Sequence, residues 1–357
     1  MDVVKEGEAT IRVGSGVFYN PRMEGLRTLS VAFLRASGCA GKSVLDATSA
    51  TGVRAIRYSR ECGTGQLTAL DINRKAYALC KKNISSSGVE ARVLNTSIRQ
   101  FSARAKETFD IIDLDPFGSP APYLYDIMRL SHDGTILMAT ATDTAVLCGA
   151  HANACIKQYG SRPLHNELCK EVGIRILYWY IARVAAEFDM GMVPMLAVSD
   201  MHYMRVFLRL NGGAVEASES MKRNGTGGFC NMCGNFRLWE SIGRLACPEC
   251  GNCGAQMEGF GPLWTGRLHD RGLLRRIRCR GSVVLRTIKN EPDVPMFYSV
   301  PAMTSRLGIG SVSHYGLAER LAGMGFRASP TQFDSDGIKT DAPAAEVARA
   351  IKALVKE

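Results

Sequence analysis

Asp115-Pro116-Phe117-Gly118 is the stretch of this 357-residue chain best suited to chemistry on a flat, weakly nucleophilic amine. The exocyclic amine of a nucleobase attacks poorly because its lone pair is delocalised into the ring. Asp115 and the Pro116 carbonyl offer two acceptors for its N–H groups, which would localise the lone pair toward an electrophilic methyl. Phe117 offers a face for stacking, worth about 1–3 kcal/mol per base in nucleic-acid sites. No metal is needed, only in-line placement against a sulfonium carbon. An isolated Asp-Pro pair would read as a turn with a helix cap. Here the apolar run Phe109 to Leu114 precedes it, and the carboxyl ends of strands are where open α/β sheets do ligand chemistry.

A second group lies upstream. Asp46-Ala47-Thr48-Ser49-Ala50-Thr51-Gly52-Val53-Arg54 follows a strand-like run and opens a helical pattern, with Gly52 expected to let a ligand approach the backbone. The three-glycine dinucleotide fingerprint is absent, and so is a phosphate loop ending in Gly-Lys-Ser/Thr. Asp71 ends the next strand 19 residues after Gly52, where an acid accepts hydrogen bonds from ribose hydroxyls. The competing reading of Asp71 is a cap for the helix starting near Asn73.

These residues need a scaffold of alternating strands and helices. Strand-like runs at Val44–Thr48, Gln66–Asp71, Ala91–Leu94, Phe109–Leu114 and Gly134–Thr140 alternate with helical patterns, which predicts a parallel sheet with crossover helices. A long helix over 164–188 and two strands, Met192–Ser199 and Met204–Leu210, complete a first domain at 1–212. The glycine clusters at 211–213 and 224–228 read as breakers, with a boundary or flexible connection between them. Residues 213–357 are expected to form a second domain, with a cysteine module at about 228–255 and a terminal α+β unit carrying helices near 313–324 and 343–356.

Four dispersed blocks resemble the tRNA guanine-26 dimethyltransferase family: Phe18-Tyr19-Asn20-Pro21-Arg22-Met23, Ser49 through Arg57, Asp113 through Pro120, and Thr140 through His151. Gly337-Ile338-Lys339-Thr340 adds a fifth. The resemblance implies a Rossmann-like class I methyltransferase domain, with a zinc-binding insertion in some members and a smaller α+β C-terminal domain. It further implies transfer of methyl groups from S-adenosyl-L-methionine to the exocyclic amine of guanosine 26, at the junction of the D and anticodon stems. By that resemblance Asp115 holds the amine, Phe18 and Phe117 sandwich the guanine, and Arg27, Arg54 and Asp71 contact the cofactor. The candidate catalytic set is Asp115, Pro116, Phe117 and Phe18, and the cofactor set is Arg27, Asp46, Gly52, Arg54, Asp71 and Ser97. The family's Asn-Arg-Asp is Leu26-Arg27-Thr28 here, so the acid beside Arg27 is missing.

Composition narrows the alternatives. Lys plus Arg exceed Asp plus Glu by 44 to 34, a net charge of +10 that favours a polyanion such as tRNA. The excess concentrates after Trp264, at Arg267, Arg271, Arg275, Arg276, Arg278, Arg280, Arg286 and Lys289. No apolar run spans a bilayer and the acidic start is unlike a secretory signal, so the expected address is cytoplasmic. In that reducing compartment the 12 cysteines read as thiols and metal ligands. Cys230-x2-Cys233-x13-Cys247-x2-Cys250 is spaced to hold a structural zinc, although Cys253 offers a competing Cys250-x2-Cys253 pair. Cys148-x2-His151-x3-Cys155 also looks ligand-like but is read as packing. A zinc-deaminase reading of His165-Asn166-Glu167 with Cys247 and Cys250 fits poorly, because Pro248 follows the first cysteine of the pair. An adenine-amine methyltransferase and a non-catalytic, zinc-stabilised RNA-binding protein are the rival classes. No obligate protein partner is evident.

Overall fold

The computed structural model describes residues 2–200, 202–241 and 248–355. An antiparallel hairpin, β1 (Asp2–Glu6) and β2 (Ala9–Val13), precedes α1 (Glu24–Ala36). Strands and helices then alternate as expected: β3 (Val44–Asp46), α2 (Val53–Cys62), β4 (Leu67–Asp71), α3 (Arg74–Ser87), β5 (Arg92–Asn95), α4 (Ile98–Ser102), β6 (Ile111–Leu114), α5 (Leu124–Arg129) and β7 (Ile136–Ala141). Two short helices, α6 (Thr144–Leu147) and α7 (Ala152–Tyr159), lead to α8 (Cys169–Ala186), and β8 (Met190–Ser199) and β9 (Met204–Gly212) complete the sheet.

The seven strands lie in the order β5-β4-β3-β6-β7-β9-β8. The first five run parallel, whereas β9 is antiparallel to both β7 and β8. Connections leave β3 toward β4 on one side and return to β6 on the other, so a crevice opens beyond the carboxyl ends of these strands. Strands β3, β6 and β7 are buried along their whole length because helices cover both faces. This is the expected Rossmann-like class I architecture.

Beyond Gly212 come α9 (Ala214–Met221) and a three-stranded sheet of β10 (Asn224–Phe229), β11 (Phe236–Trp239) and β12 (Glu258–Trp264), with β10 in the middle. The glycine-rich run read as a breaker is therefore a fully buried central strand. Its glycines make room for aromatic rings: a Cβ on Gly227 would lie 2.2 Å from the Phe260 ring, and one on Gly228 would lie 2.9 Å from Trp239. Next come α10 (Arg271–Arg276) and α11 (Val283–Asn290). The terminal unit contains β13 (Tyr298–Ser299), α12 (Val300–Leu307), α13 (His314–Gly323), β14 (Ala328–Pro330), β15 (Gly337–Thr340) and α14 (Ala344–Leu354).

The core continues across residue 212. Phe229, Phe260, Trp264 and Phe297 share one apolar cluster with Leu114, Leu137 and Val206 of the central sheet. Leu273, Leu274, Ile277, Leu285 and Ile288 join a second, on the α1 side, with Phe33, Leu196 and Phe207. The terminal unit adds its own cluster around Leu317, Ile338 and Ile351. Among the described residues no helix is long and apolar enough to cross a membrane.

Candidate active site and cysteine cluster

Asp46, Asp71 and Asp115 gather at the crevice because each sits at or just after the carboxyl end of its strand, β3, β4 and β6. Asp46 is 1% exposed and neither carboxylate oxygen has a well-formed hydrogen bond. Burial and the neighbouring Asp113 push its carboxyl up to about 8. A buried carboxylate left without donors at a ligand crevice fits a site that receives a cation, such as the ammonium and sulfonium groups of S-adenosyl-L-methionine.

Asp71 accepts from the backbone N–H of Ala50 at 2.9 Å and of Asn73 at 2.8 Å. Burial raises its carboxyl, opposed by those two bonds. Asn73, not Asp71, caps α3, accepting from Lys75 and Ala76. The bond from Ala50 fastens the turn after β3 to the end of β4 while Ala50 holds φ +46°, a left-handed conformation unusual for a residue with a Cβ. Gly52 is also left-handed, and a Cβ there would meet Cys80 Sγ at 2.9 Å. Its glycine is thus required by the close seat of the turn on α3 as well, beside the approach of a ligand expected from the sequence. Ser97 caps α4 by accepting from Gln100 N at 3.1 Å, just past the end of β5.

Asp115 is the most heavily braced of the three. Arg54 donates to its Oδ2 from Nη2 at 2.6 Å and from Nε at 3.1 Å, and Asp115 N donates to Thr48 Oγ1 at 3.0 Å. Burial pushes the carboxyl up, but Arg54, then Arg205 and the Thr140 hydroxyl, hold it below the ordinary aspartate value. Behind it Asp113 is fully buried and accepts from Tyr58 and, at 2.9 Å on both oxygens, from Arg205 Nη2. Arg205 also donates to Thr140 Oγ1 at 2.5 Å. The loop after Asp115 is pinned as well. Gly118 N donates to Thr142 Oγ1 at 2.7 Å, Thr142 N donates back to Gly118 O at 2.8 Å, and Ser119 Oγ lies 2.6 Å from the Tyr159 hydroxyl.

Phe18 and Phe117 meet edge to face with centroids 4.7 Å apart, and they are 54% and 75% exposed. Two such exposed rings beside a charged site are unusual for a water-facing surface. Arg27, expected at the cofactor, donates to both oxygens of Glu6 and to Asn20 O, and its guanidinium faces the Tyr19 ring at 5.1 Å. Where the family has an acid beside this arginine, Thr28 accepts from Arg57 at 3.1 Å, and Glu6 of β1 supplies the carboxylate shared by Arg27 and Arg57. Sequence reasoning missed Glu6, Tyr58 and Arg205, which carry no local pattern of their own, and it took Thr140 only as the start of a family block without its bond to Arg205.

The sulfurs of Cys230, Cys233, Cys250 and Cys253 all lie within 4.8 Å of one another. Cys247, expected as a ligand, lies outside the described residues. The two halves of the cluster repeat one turn. Cys230 N donates to Asn235 O and Gly234 N to Cys230 O, while Cys250 N donates to Ala255 O and Gly254 N to Cys250 O. Gly234 and Gly254 are both left-handed, at φ +74° and +75°. Four thiolate donors at this separation suit zinc, and no other metal-like group occurs among the described residues, including the Cys148, His151 and Cys155 set. Arg306 of α12 ties the first turn to the loop before α8, donating to Asn231 O at 3.1 Å and pairing with Glu167 at 2.6 Å. That pairing employs Glu167 structurally and leaves the deaminase reading without its proton shuttle.

Residues 2–352 match the family described as N2,N2-dimethylguanosine tRNA methyltransferase. The chain belongs to this family. Similar curated members are the tRNA (guanine(26)-N(2))-dimethyltransferases of Pyrococcus furiosus, 36% identical with 95% of each chain covered, and of Methanothermobacter thermautotrophicus, 34% identical over the whole of both chains. Among solved structures, Trm1 from Pyrococcus horikoshii in complex with S-adenosyl-L-methionine superposes with a TM-score of 0.89 at 33% identity, covering 98% of this chain and 99% of that one. The likeness to these relatives thus extends through the sheet, the cysteine region and the terminal unit.

Proposed function

We propose that this protein uses S-adenosyl-L-methionine to methylate, twice, the exocyclic N2 amine of guanosine 26 in tRNA. The observation that carries the reading is the braced Asp115 carboxylate at the end of β6, flanked by the exposed Phe18 and Phe117 rings and sharing a crevice with Asp46 and Asp71. Family membership and the full-length match to relatives named for this activity support it.

S-adenosyl-L-methionine, when bound, supplies an electrophilic methyl. Asp46 and Asp71 are assigned to its cationic and ribose portions, with Gly52 and Ser97 shaping the wall. Asp115 Oδ1 and the Pro116 carbonyl accept the amine's N–H groups and turn the nitrogen lone pair out of the ring. As the N–C bond forms, the C–S bond breaks and sulfur keeps the electron pair. The N-methyl ammonium is acidic enough to lose its proton to water, so the weakly basic Asp115 serves as a hydrogen-bond acceptor rather than a strong base. A base held between Phe18 and Phe117 needs about 7 Å between parallel rings, two van der Waals layers, so the rings must part from their 4.7 Å edge contact.

Zinc held by Cys230, Cys233, Cys250 and Cys253 is assigned to folding the 228–255 module. The exposed Arg275, Arg276, Arg278, Arg280 and Arg286 are assigned to tRNA phosphates, in keeping with a cytoplasmic substrate.

The test is nucleoside mass spectrometry of unmodified tRNA incubated with protein and cofactor, looking for N2,N2-dimethylguanosine at position 26. Asp115→Ala should cripple turnover and leave cofactor affinity nearly unchanged. Wild-type turnover in that variant, or product on adenine instead, overturns the reading.

A further inference from the structure

Arg54 faces two ways on paper. Family resemblance gives it to the cofactor, yet the structure spends its fork on Asp115. Nη2 and Nε both donate to Oδ2, at 2.6 and 3.1 Å, and Nη1 stands 3.6 Å from Asp113 Oδ2. Arg54 is 6% exposed, so this is an interior ion pair and not a transient surface contact. Asp113 is itself clamped by Arg205 and Tyr58, which gives Arg54 a fixed anchor at the far end.

We propose that Arg54 is a positioning residue for the methyl-accepting amine, acting through Asp115: it occupies Oδ2 and thereby presents Oδ1 alone to the guanine N–H. This rests on the reading of Asp115 as the amine's acceptor. A carboxylate free to spin about Cα–Cβ and Cβ–Cγ presents either oxygen in many directions. A guanidinium holding one oxygen with two N–H groups restricts that freedom, because the converging pair fixes where Oδ2 sits and so limits where Oδ1 can point. The alignment left over is what in-line transfer requires, where small misplacements cost large factors in rate. Thr140 completes the brace. Its hydroxyl accepts from Arg205 at 2.5 Å and contributes to holding the Asp115 charge, so β9 supports the site through β7.

A lysine at position 54 keeps the charge and loses the fork. Arg54→Lys should lower kcat at saturating cofactor and tRNA by ten- to a hundredfold, while the dissociation constant for S-adenosyl-L-methionine, by calorimetry, moves less than threefold. The decisive measurement is a double-mutant cycle with Asp115→Asn. In the Asp115→Asn background Arg54→Lys should change kcat less than threefold, because the group it positions is gone. The acid limb of the kcat profile should also move to higher pH in Arg54→Lys, since a looser cation holds Asp115 less firmly ionised, an effect a purely structural role would not produce. Multiplicative losses in the cycle, or a tenfold weaker cofactor affinity with kcat intact, would overturn the proposal and return Arg54 to the cofactor. Should Arg54→Lys fail to fold, Arg54→Gln is carried through the same cycle. Wild-type turnover in Asp115→Asn alone would instead defeat the reading of Asp115, so the two failures are distinguishable.

Discussion

The Glu6 carboxylate takes the Arg27 guanidinium side-on, with Nε on Oε1 at 2.7 Å and Nη2 on Oε2 at 2.5 Å. Arg57 Nη1 shares Oε1 at 2.8 Å and the Tyr19 hydroxyl reaches Oε2 at 3.0 Å, so one acid of the N-terminal hairpin fixes α1, α2 and the residue next to Phe18. Because the Glu6 side chain is fully buried, its loss strands Arg27, while Arg57 keeps its pair with Glu61. Glu6→Gln should cost roughly 3 kcal/mol of stability and lower turnover by loosening Phe18. Burial raises the Glu6 carboxyl, but Arg27 and Arg57 bring it net below 4.5. Its stabilisation is therefore full above that unfolded value and fades as pH falls through the lower folded one. Denaturant titrations at pH 7 and in mild acid check both points, and an equal acid loss in wild type and Glu6→Gln would count against them.

Asp46 works in the opposite sense. Its carboxyl titrates near 8 folded against 3.8 unfolded, so it lowers stability progressively as pH rises from about 4 to 8. Asp46→Asn should raise the melting temperature at pH 8 more than at pH 5, and it should weaken S-adenosyl-L-methionine binding at the same time. Melting curves at the two pH values and a cofactor titration read both effects. A variant no more stable than wild type at pH 8 would contradict the assignment of an unpaired carboxylate.

Zinc content follows the repeated turn. Purified protein should carry about one zinc per chain. Cys253→Ser should reduce zinc and stability, and Cys247→Ser should leave both near wild type. Atomic absorption on the two variants decides between the ligand sets.

The basic segment is not uniform. Arg271 donates to Ile288 O at 3.1 Å and to Glu291 O at 2.5 Å, which makes it a strut between α10 and α11. Reversing the exposed Arg275, Arg276 and Arg280 to glutamate should weaken tRNA binding and flatten its salt dependence, with cofactor affinity unchanged. Unaltered binding and salt slope would place the RNA surface elsewhere.

Much of the candidate site's placement was legible in the sequence because its parts are local. Asp46, Asp71 and Asp115 each follow an apolar run of strand length, and a parallel sheet brings such ends together whatever the intervening sequence. The partners that tune them were not legible. Arg205 reaches Asp113 from 92 residues away and Glu6 reaches Arg57 from 51, so only the folded register pairs them. The glycine run of β10 misled for a related reason, since its fit depends on Phe260 and Trp239, rings on strands that local composition does not connect.

Glu171 of α8 is fully buried and accepts from Arg175 on its own helix at 2.7 and 3.0 Å, from Met296 N at 2.8 Å and from Lys339 Nζ at 2.7 Å. Lys339 belongs to the Gly337-Ile338-Lys339-Thr340 block, and Arg175 donates onward to Trp264 O and Gly266 O. The helix that backs the central sheet, already self-paired through Glu171 and Arg175, therefore has the other oxygen of that buried carboxylate satisfied only from a strand 168 residues away. Truncation after residue 212 would strip Glu171 of its lysine and uncover the apolar cluster shared by the central sheet with Phe229, Phe260, Trp264 and Phe297, so it should destabilise the sheet rather than release it intact.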